Sequence, residues 1–321
     1  KVALESLDVG PGDEVIVPTM TFAATANFVL YQDAKPVLVD VLPESLLIDP
    51  AAVEAAITPH TKAIIGVDYA GHPCNLGALR QIADRHGLIL VEDACHSLGA
   101  EYSGKKIGRI ADLTCFSFHP VKHITTGEGG MTLTHRPEFA ERMRRFRNHG
   151  ISSDQRQRTE QGTWFYEMVD LGFNYRITDF QCALGMSQLA KLPGWLQRRR
   201  SIAGIYDAEL ASLPYVTPLR KDSDILHAYH LYVVKIDFSR LGRSRKEVFL
   251  KLRSQGIGVN VHYIPVHLHP YYQQKLGYRR GSFPVAEAVY EQILSLPMYA
   301  TLKDEEIARV MDRLKEITQT V

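Results

Sequence analysis

Phe116-Ser117-Phe118-His119-Pro120-Val121-Lys122-His123-Ile124-Thr125-Thr126-Gly127-Glu128-Gly129-Gly130 reads as an apolar strand that runs into a polar, glycine-rich turn holding one lysine. A lysine becomes useful to chemistry when its surroundings lower its pKa, because the free amine can then attack a carbonyl carbon and form a Schiff base. By itself, a lysine after a strand is an ordinary solvated loop residue, one of 37 Lys and Arg in this chain. Whether Lys122 differs from the rest depends on the segments around it.

Outward from that stretch, short apolar strands alternate with amphipathic helices between residues 13 and 134. The pattern predicts strands at 14–18, 36–40, 63–68, 88–93, 113–118 and 130–134. Near-continuous apolar strands separated by helices mean an α/β fold with a mostly parallel sheet covered on both faces. Ligands in such sheets bind beyond the carboxyl ends of the strands. A helix from Leu76 to His86 starts after Asn75 and stops at Gly87, and a second spans residues 136–147. Residues 150–170 read as a long polar, irregular connection. Thr178 is placed to cap the next helix, and after Pro193-Gly194 a long helix runs to about Leu213. The remainder has a different rhythm, with a strand at 230–237, a helix at 244–255, a strand at 258–263, a loop rich in Pro and His, and closing helices. The expected organisation is a large domain over 1–192 and a smaller α+β domain over 193–321.

The 321 residues are 45% hydrophobic and 23% charged, with a formal net charge of +1, so no strong field gathers nucleic acid or an anionic membrane. The Arg-rich clusters at 142–147 and 198–200 fall in helical patterns as solvated or subunit-facing surface. Cys74, Cys95, Cys115 and Cys182 show neither CxxC nor zinc-finger spacing, which argues against a structural metal and a disulfide framework. With no apolar run of membrane-spanning length and no signal peptide, a reducing cytoplasm is the expected setting. Lys1 opens inside what reads as the last turns of a helix ending at Val9-Gly10-Pro11-Gly12, so a preceding segment is expected.

Several residues could carry chemistry. Asp93 ends an apolar strand, where an acid is commonly a helix cap but is also placed to hold a protonated ring nitrogen. His96 follows three residues on. Ser117, five residues before Lys122, is within reach of a phosphate, and Thr125, Thr126, Gly127, Gly129 and Gly130 fit either a phosphate nest or a tight turn between strands. Neither GxxxxGK[ST] nor GxGxxG is present. Phe22 stands at a helix start, as core or as a stacking ring. His262, Tyr263, His267 and His269 crowd one loop and His227, Tyr229 and His230 another; with no HExxH or carboxylate triad beside them, polar recognition of a sugar or diphosphate fits better than a metal.

Together Gly10-Pro11-Gly12-Asp13-Glu14-Val15-Ile16, Glu92-Asp93-Ala94-Cys95-His96, Phe116 to Lys122 and Asn174-Tyr175-Arg176-Ile177-Thr178-Asp179 resemble, in order, the sugar aminotransferases of the DegT/DnrJ/EryC1/StrS family. These are pyridoxal-phosphate enzymes of the aspartate-aminotransferase fold, fold type I. The segments His119 to Gly130, Val261 to His267 and Ser295 to Tyr299 are most similar to the branch that makes pseudaminic acid. The resemblance implies that Lys122 bonds pyridoxal 5'-phosphate and then moves the proton to and from C4 of the sugar. It further implies that Asp93 pairs with the pyridinium nitrogen, His96 lies near the phenolic oxygen, Phe22 stacks on the ring and Ser117 binds the phosphate. Arg176 and Asn174 would reach the phosphate from a neighbouring subunit, so a homodimer with shared sites is expected. His119, His262, Tyr263, His267, Tyr229 and His230 are the expected substrate contacts.

Two departures from the family pattern stand out. The chain begins downstream of the family's Gly-Thr/Ser-x-Ala phosphate turn, which is read as truncation, and Phe22 stands where some members have tryptophan. The expected reaction moves an amino group from L-glutamate to C4 of a UDP-linked 4-keto-6-deoxy-N-acetyl-L-hexosamine. A UDP-4-keto-pentose, a dTDP-4-keto-6-deoxy sugar, or a nucleotide-sugar sensor without catalysis are the rivals. A lysine at 122 argues against the family's dehydratases, which carry histidine there.

Overall fold

The computed structural model describes residues 1–318. Eight strands occupy the first 133 residues: β1 Glu14–Pro18, β2 Lys35–Val39, β3 Thr61–Val67, β4 Ile89–Asp93, β5 Glu101–Tyr102, β6 Lys105–Lys106, β7 Leu113–Ser117 and β8 Gly130–Leu133. Six of them form one sheet in the order β2-β1-β3-β4-β7-β8. Neighbours are parallel except β8, which returns antiparallel to β7. All five side chains of β1 are buried, as expected of a strand covered on both faces.

Helix Leu76–His86 shows how the cover is made. Asn75 Oδ1 accepts from Ala78 N at 3.0 Å, and Gly87 ends the helix at φ 65. Leu76, Leu79, Ile82 and Ala83 fall on one face and are buried. Leu79 packs onto Gly66 of β3, where an added Cβ would meet Leu79 Cδ1 at 2.9 Å and Cys74 Sγ at 2.7 Å. Each such leucine contributes about 1.5–3 kcal/mol by burial, and Gly66→Val would push the helix off the sheet.

Strands β9 Val216–Pro218, β10 Ile225–Leu226, β11 Tyr232–Ile236 and β12 Ile293–Leu296 complete the chain. A small antiparallel sheet runs β12-β11-β9, while β10 joins β5 and β6. Two hydrophobic cores result. One lies on the large sheet and the other between the small sheet and helices Arg245–Ser254 and Asp304–Thr318. Helix Leu192–Leu210 serves both, with Leu192 and Leu196 in the first core and Ile202, Tyr206 and Leu210 in the second.

Three local expectations need correction. Residues 258–263 form no strand beyond one bridge, Asn260 to Ser295, because Asn260 Oδ1 accepts from Val261 N at 2.8 Å and diverts the ladder bond. Residues 150–170 hold a short helix, Gln155–Gln161, started by an Asp154/Gln157 capping box. The long helix stops at Leu210 rather than near Leu213. No helix among the described residues is long and apolar enough to cross a membrane.

Candidate active site

Parallel strands put their carboxyl ends on one edge, and the residues after β1, β3, β4 and β7 meet there. From β1 come Thr21, Phe22 and Thr25; from β3, Tyr69; from β4, Asp93 and His96; from β7, Ser117 and Lys122. The loop after Asn260 completes the group from the other core. Val266 N donates to Thr19 O at 2.8 Å, which pins that loop to the turn after β1.

Asp93 ends β4 opposite Cys115 of β7. Thr25 Oγ1 donates to Asp93 Oδ2 at 2.7 Å and in turn touches Thr21 Oγ1 at 2.9 Å, while Cys95 N donates to Oδ1 at 3.3 Å. Lys122 is half-buried in the loop after β7, its N–H donating to His119 O at 2.9 Å. Burial lowers the Lys122 ammonium below the usual lysine range, partly opposed by the nearby Cys95 and Asp93. Among the described residues neither Lys122 nor Asp93 forms an ion pair, and the Asp93 charge is felt at Lys122.

Aromatic rings wall this space. His96 packs against His230 in a tilted pair with centroids 4.3 Å apart, and His96 Nε2 lies 3.1 Å from the Tyr263 hydroxyl. The Tyr263 ring is 5.7 Å from Phe22 and 6.5 Å from Tyr69. The Tyr69 hydroxyl donates to the His262 carbonyl, and His262 Nδ1 is 2.8 Å from Ser295 Oγ. Burial pushes His96 and His230 well below the ordinary histidine pKa. Burial and then the Lys122 charge take His262 to about 4, while burial raises Tyr263. The wall is therefore neutral near pH 7. The Nδ1 atoms of His96, His123 and His230 are buried and have no protein partner.

Not every expected residue joins this group. His267 is 0% exposed; its Nδ1 is 2.7 Å from Thr19 Oγ1 and its Nε2 2.9 Å from Glu287 Oε1, which leaves no ring atom for a ligand. It braces the loop instead. His119 is exposed on the loop, with Nδ1 accepting from Val121 N at 3.4 Å. Tyr229 sits at φ 49 and stacks on His227 at 3.9 Å, facing a separate cavity of about 160 Å³ beside His72 and Lys221. Arg176 Nη1 donates to Asn148 Oδ1 at 2.7 Å, and Asn174 bridges Asn148 through the backbone; both side chains are exposed.

The glycine-rich stretch is built as a turn. Thr125 Oγ1 donates to Phe118 O at 2.9 Å and accepts from Gly127 N at 2.9 Å, and Thr126 Oγ1 donates to Glu128 O at 2.7 Å. A Cβ on Gly129 would lie 2.3 Å from Thr126 Oγ1. These hydroxyls are spent on reversing the chain into β8. Sequence reasoning missed Thr21, Thr25, Tyr69 and His123. Thr21 and Thr25 carry a weak signal, four residues apart around the start of a helix, whereas Tyr69 carries none.

A half-buried amine with lowered pKa on the same carboxyl edge of an α/β sheet as a carboxylate, under a neutral aromatic wall, is an arrangement suited to chemistry on carbonyl groups. The chain belongs to the DegT/DnrJ/EryC1/StrS aminotransferase family, whose model matches residues 1–315. It is 40% identical over 321 residues to the spore coat polysaccharide biosynthesis protein SpsC of Bacillus subtilis, covering 99% of this chain and 82% of that protein. Among solved structures, DesV of S. venezuelae superposes with a TM-score of 0.91 at 37% identity, covering 100% of this chain and 82% of that one. Helicobacter pylori PseC, an aminotransferase involved in pseudaminic acid biosynthesis, gives a TM-score of 0.91 at 32% identity, covering 100% and 85%. The fold is therefore that of the pyridoxal-phosphate sugar aminotransferases, and members of this family bind pyridoxal 5'-phosphate. The residues present fit that group, since the unpartnered His96 Nδ1 and the unpaired Asp93 and Lys122 supply a donor or acceptor, a carboxylate and an amine around one space.

Proposed function

We propose that this sugar aminotransferase moves an amino group from L-glutamate to C4 of a UDP-linked 4-keto-6-deoxy-N-acetyl-L-hexosamine, as in the making of pseudaminic acid. The observation that carries the reading is the half-buried Lys122, its pKa lowered by burial, on the same carboxyl edge of the sheet as Asp93. Its support on the substrate side is the likeness to PseC and the His119 to Gly130 and Val261 to His267 segments. SpsC, the more identical relative, points more broadly to cell-surface polysaccharide, and a UDP-4-keto-pentose or a dTDP-4-keto-6-deoxy sugar is the alternative substrate.

Pyridoxal phosphate, once bound, supplies an electron-withdrawing ring and an exchangeable amino group. Lys122 would hold it covalently and then accept and return the proton at the reacting carbon, a task suited to an amine whose pKa burial has lowered. Asp93, which accepts from the Thr25 hydroxyl, would pair with the ring nitrogen. His96 would contact the ring's phenolic oxygen, Phe22 would stack on its face and Ser117 would bind the phosphate. His262, Tyr263, His230 and His119 remain the proposed sugar contacts, and His267 and Tyr229, which faces the separate cavity, are withdrawn from that set.

A second copy of this chain would complete the site. None of the eleven residues of helix Asp179–Leu189 is buried, and Phe180 and Trp164 are 91% and 84% exposed. Apolar surface on this scale marks an interface. Arg176 and Asn174 lie on the same exposed segment, placed to serve the neighbouring site. The domain boundary near residue 192 is proposed where helix Leu192–Leu210 passes between the two cores.

The test is the absorbance of the cofactor-loaded protein with and without L-glutamate, followed by amino transfer to the three keto-sugars in parallel. The expected result is a glutamate-dependent spectral change, lost in Lys122→Ala, with turnover of the hexosamine. An unchanged spectrum together with a silent Lys122→Ala would sink the enzyme reading, and faster turnover of another sugar would replace the substrate.

A further inference from the structure

Two carboxyls lie behind the site, unused by the reaction. Asp68 and Glu92 are each 0% exposed, and they come from adjacent strands, where Gly66 of β3 pairs with Glu92 of β4. Among the described residues neither forms an ion pair. Both Asp68 oxygens are occupied by donors, Oδ1 by Cys74 N at 2.9 Å and Oδ2 by Ser97 Oγ at 2.5 Å. Glu92 Oε2 accepts from Thr114 Oγ1 at 2.7 Å, whereas Oε1 is buried with no donor in reach.

Asp68 follows β3 two residues on from Gly66, the register partner of Glu92, and two neighbouring carboxyls out of water and without a cation do not both ionise. The oxygen that lacks a donor is the one that gains by carrying a hydrogen itself, and its neighbour, already accepting two hydrogen bonds, is the better anion. We propose that Asp68 and Glu92 share one proton carried on Glu92 Oε1, and that the ionised Asp68 is a positioning residue clamping the two turns that present Tyr69 and His96.

The clamp follows from what Asp68 holds. Its bond to Cys74 N closes the loop in which Ala70 sits at φ 59 and Gly71 at φ 99, a conformation with a backbone cost that something must offset. That loop carries Tyr69 to Tyr263 and to the His262 carbonyl. Its bond to Ser97 closes the turn after Asp93, which carries His96, and Asp68 N donates to Asp93 O at 3.1 Å. The titratable groups facing the pair are the thiols of Cys74 beside Asp68 and Cys115 beside Glu92, both pushed up by burial and so neutral. Burial likewise raises both carboxyls, and the Asp68 charge raises Glu92 further. The inference rests on the reading that the Tyr69 and His96 turns border the cofactor.

The sign of the linkage gives the test. Above the ordinary carboxylate pKa the folded chain keeps a proton that the unfolded chain releases, so stability falls as pH rises, by one proton, tenfold in the unfolding constant per pH unit. Urea unfolding between pH 5 and 8, with and without pyridoxal phosphate, is compared between the wild type and Glu92→Gln, whose shared histidines cancel, and the wild type should carry that slope in excess of the variant. The Gln amide replaces the donated hydrogen, so cofactor affinity should stay within about threefold. Asp68→Asn offers one carbonyl oxygen to two donors, and its cofactor affinity should fall roughly tenfold or more. If that variant does not fold, Ser97→Ala removes a single donor and should weaken cofactor binding by at least about threefold. An unchanged slope in Glu92→Gln overturns the shared proton, and full cofactor affinity in Asp68→Asn or Ser97→Ala overturns the clamp. A wild type that binds no pyridoxal phosphate defeats the functional reading alone, because the slope is also read without the cofactor.

Discussion

Thr25→Val tests the proposed role of Asp93 with little change of shape. Thr25 is buried in the helix Ala23–Leu30, and its hydroxyl lies 2.7 Å from Asp93 Oδ2, one of two donors on that carboxylate. A hydrogen bond to a charged acceptor is worth about 1.5–3 kcal/mol. Asp93 is half-buried, so solvent recovers part of the loss and about 1–2 kcal/mol remains. Without the donor, the carboxylate that would meet the ring nitrogen is held less firmly in place, so the cost falls on binding. The expected outcome is a rise of roughly 5- to 30-fold in the dissociation constant for pyridoxal phosphate, with Thr25→Ser close to wild type. Equilibrium titration followed by cofactor absorbance reads it, alongside a urea melt of the free protein. An unchanged dissociation constant with a lowered urea midpoint would refute the reasoning, since Thr25 would then be packing alone.

The histidine wall makes the fold acid-sensitive. His262 is depressed by burial to about 4 and His96 and His230 lie well below the ordinary value, so the unfolded chain binds protons that the folded chain does not. Stability is fully present above about pH 6.5 and is lost as pH falls from there toward 4; a urea midpoint flat over that range would contradict it. Phe180→Asp places a charge on the exposed helix Asp179–Leu189 and is expected to yield monomers with weakened cofactor binding, read by light scattering and titration. A monomeric wild type with full cofactor affinity would remove the shared-site proposal. His267→Asn breaks a buried hydrogen bond to Glu287 and is expected to cost about 1.5–3 kcal/mol of stability, read by urea unfolding, with the KM for the keto-sugar within about twofold; a large KM change at wild-type stability would return His267 to the sugar contacts.

Apolar runs bounded by Gly, Pro and Asn placed all six strands of the central sheet; the interior ones are largely apolar because both faces are covered, whereas the edge strand β8 is mostly exposed. Caps were equally legible, since Asn75 and Thr178 act through contacts three residues away. The strand expected at 258–263 failed because a single side-chain amide outcompeted the ladder, a contest that periodicity does not register. The stretch at 150–170 hid a helix whose Asp154/Gln157 box is local and could have been read.

For the site, the sequence alone determined which residue types stand at the carboxyl edge, because a strand end and the turn after it are local events. Lys122, Asp93, His96 and Ser117 belong to that class. The tertiary structure decided what each of them faces. His267 and His262 are five residues apart in one loop, yet one is buried between Thr19 and Glu287 and the other lies close enough to Lys122 for its charge to be felt. Thr25 reaches Asp93 across 68 residues of chain and Tyr263 reaches His96 across 167. Contacts at such separations depend on how two cores pack together, and no local pattern of polarity carries that information.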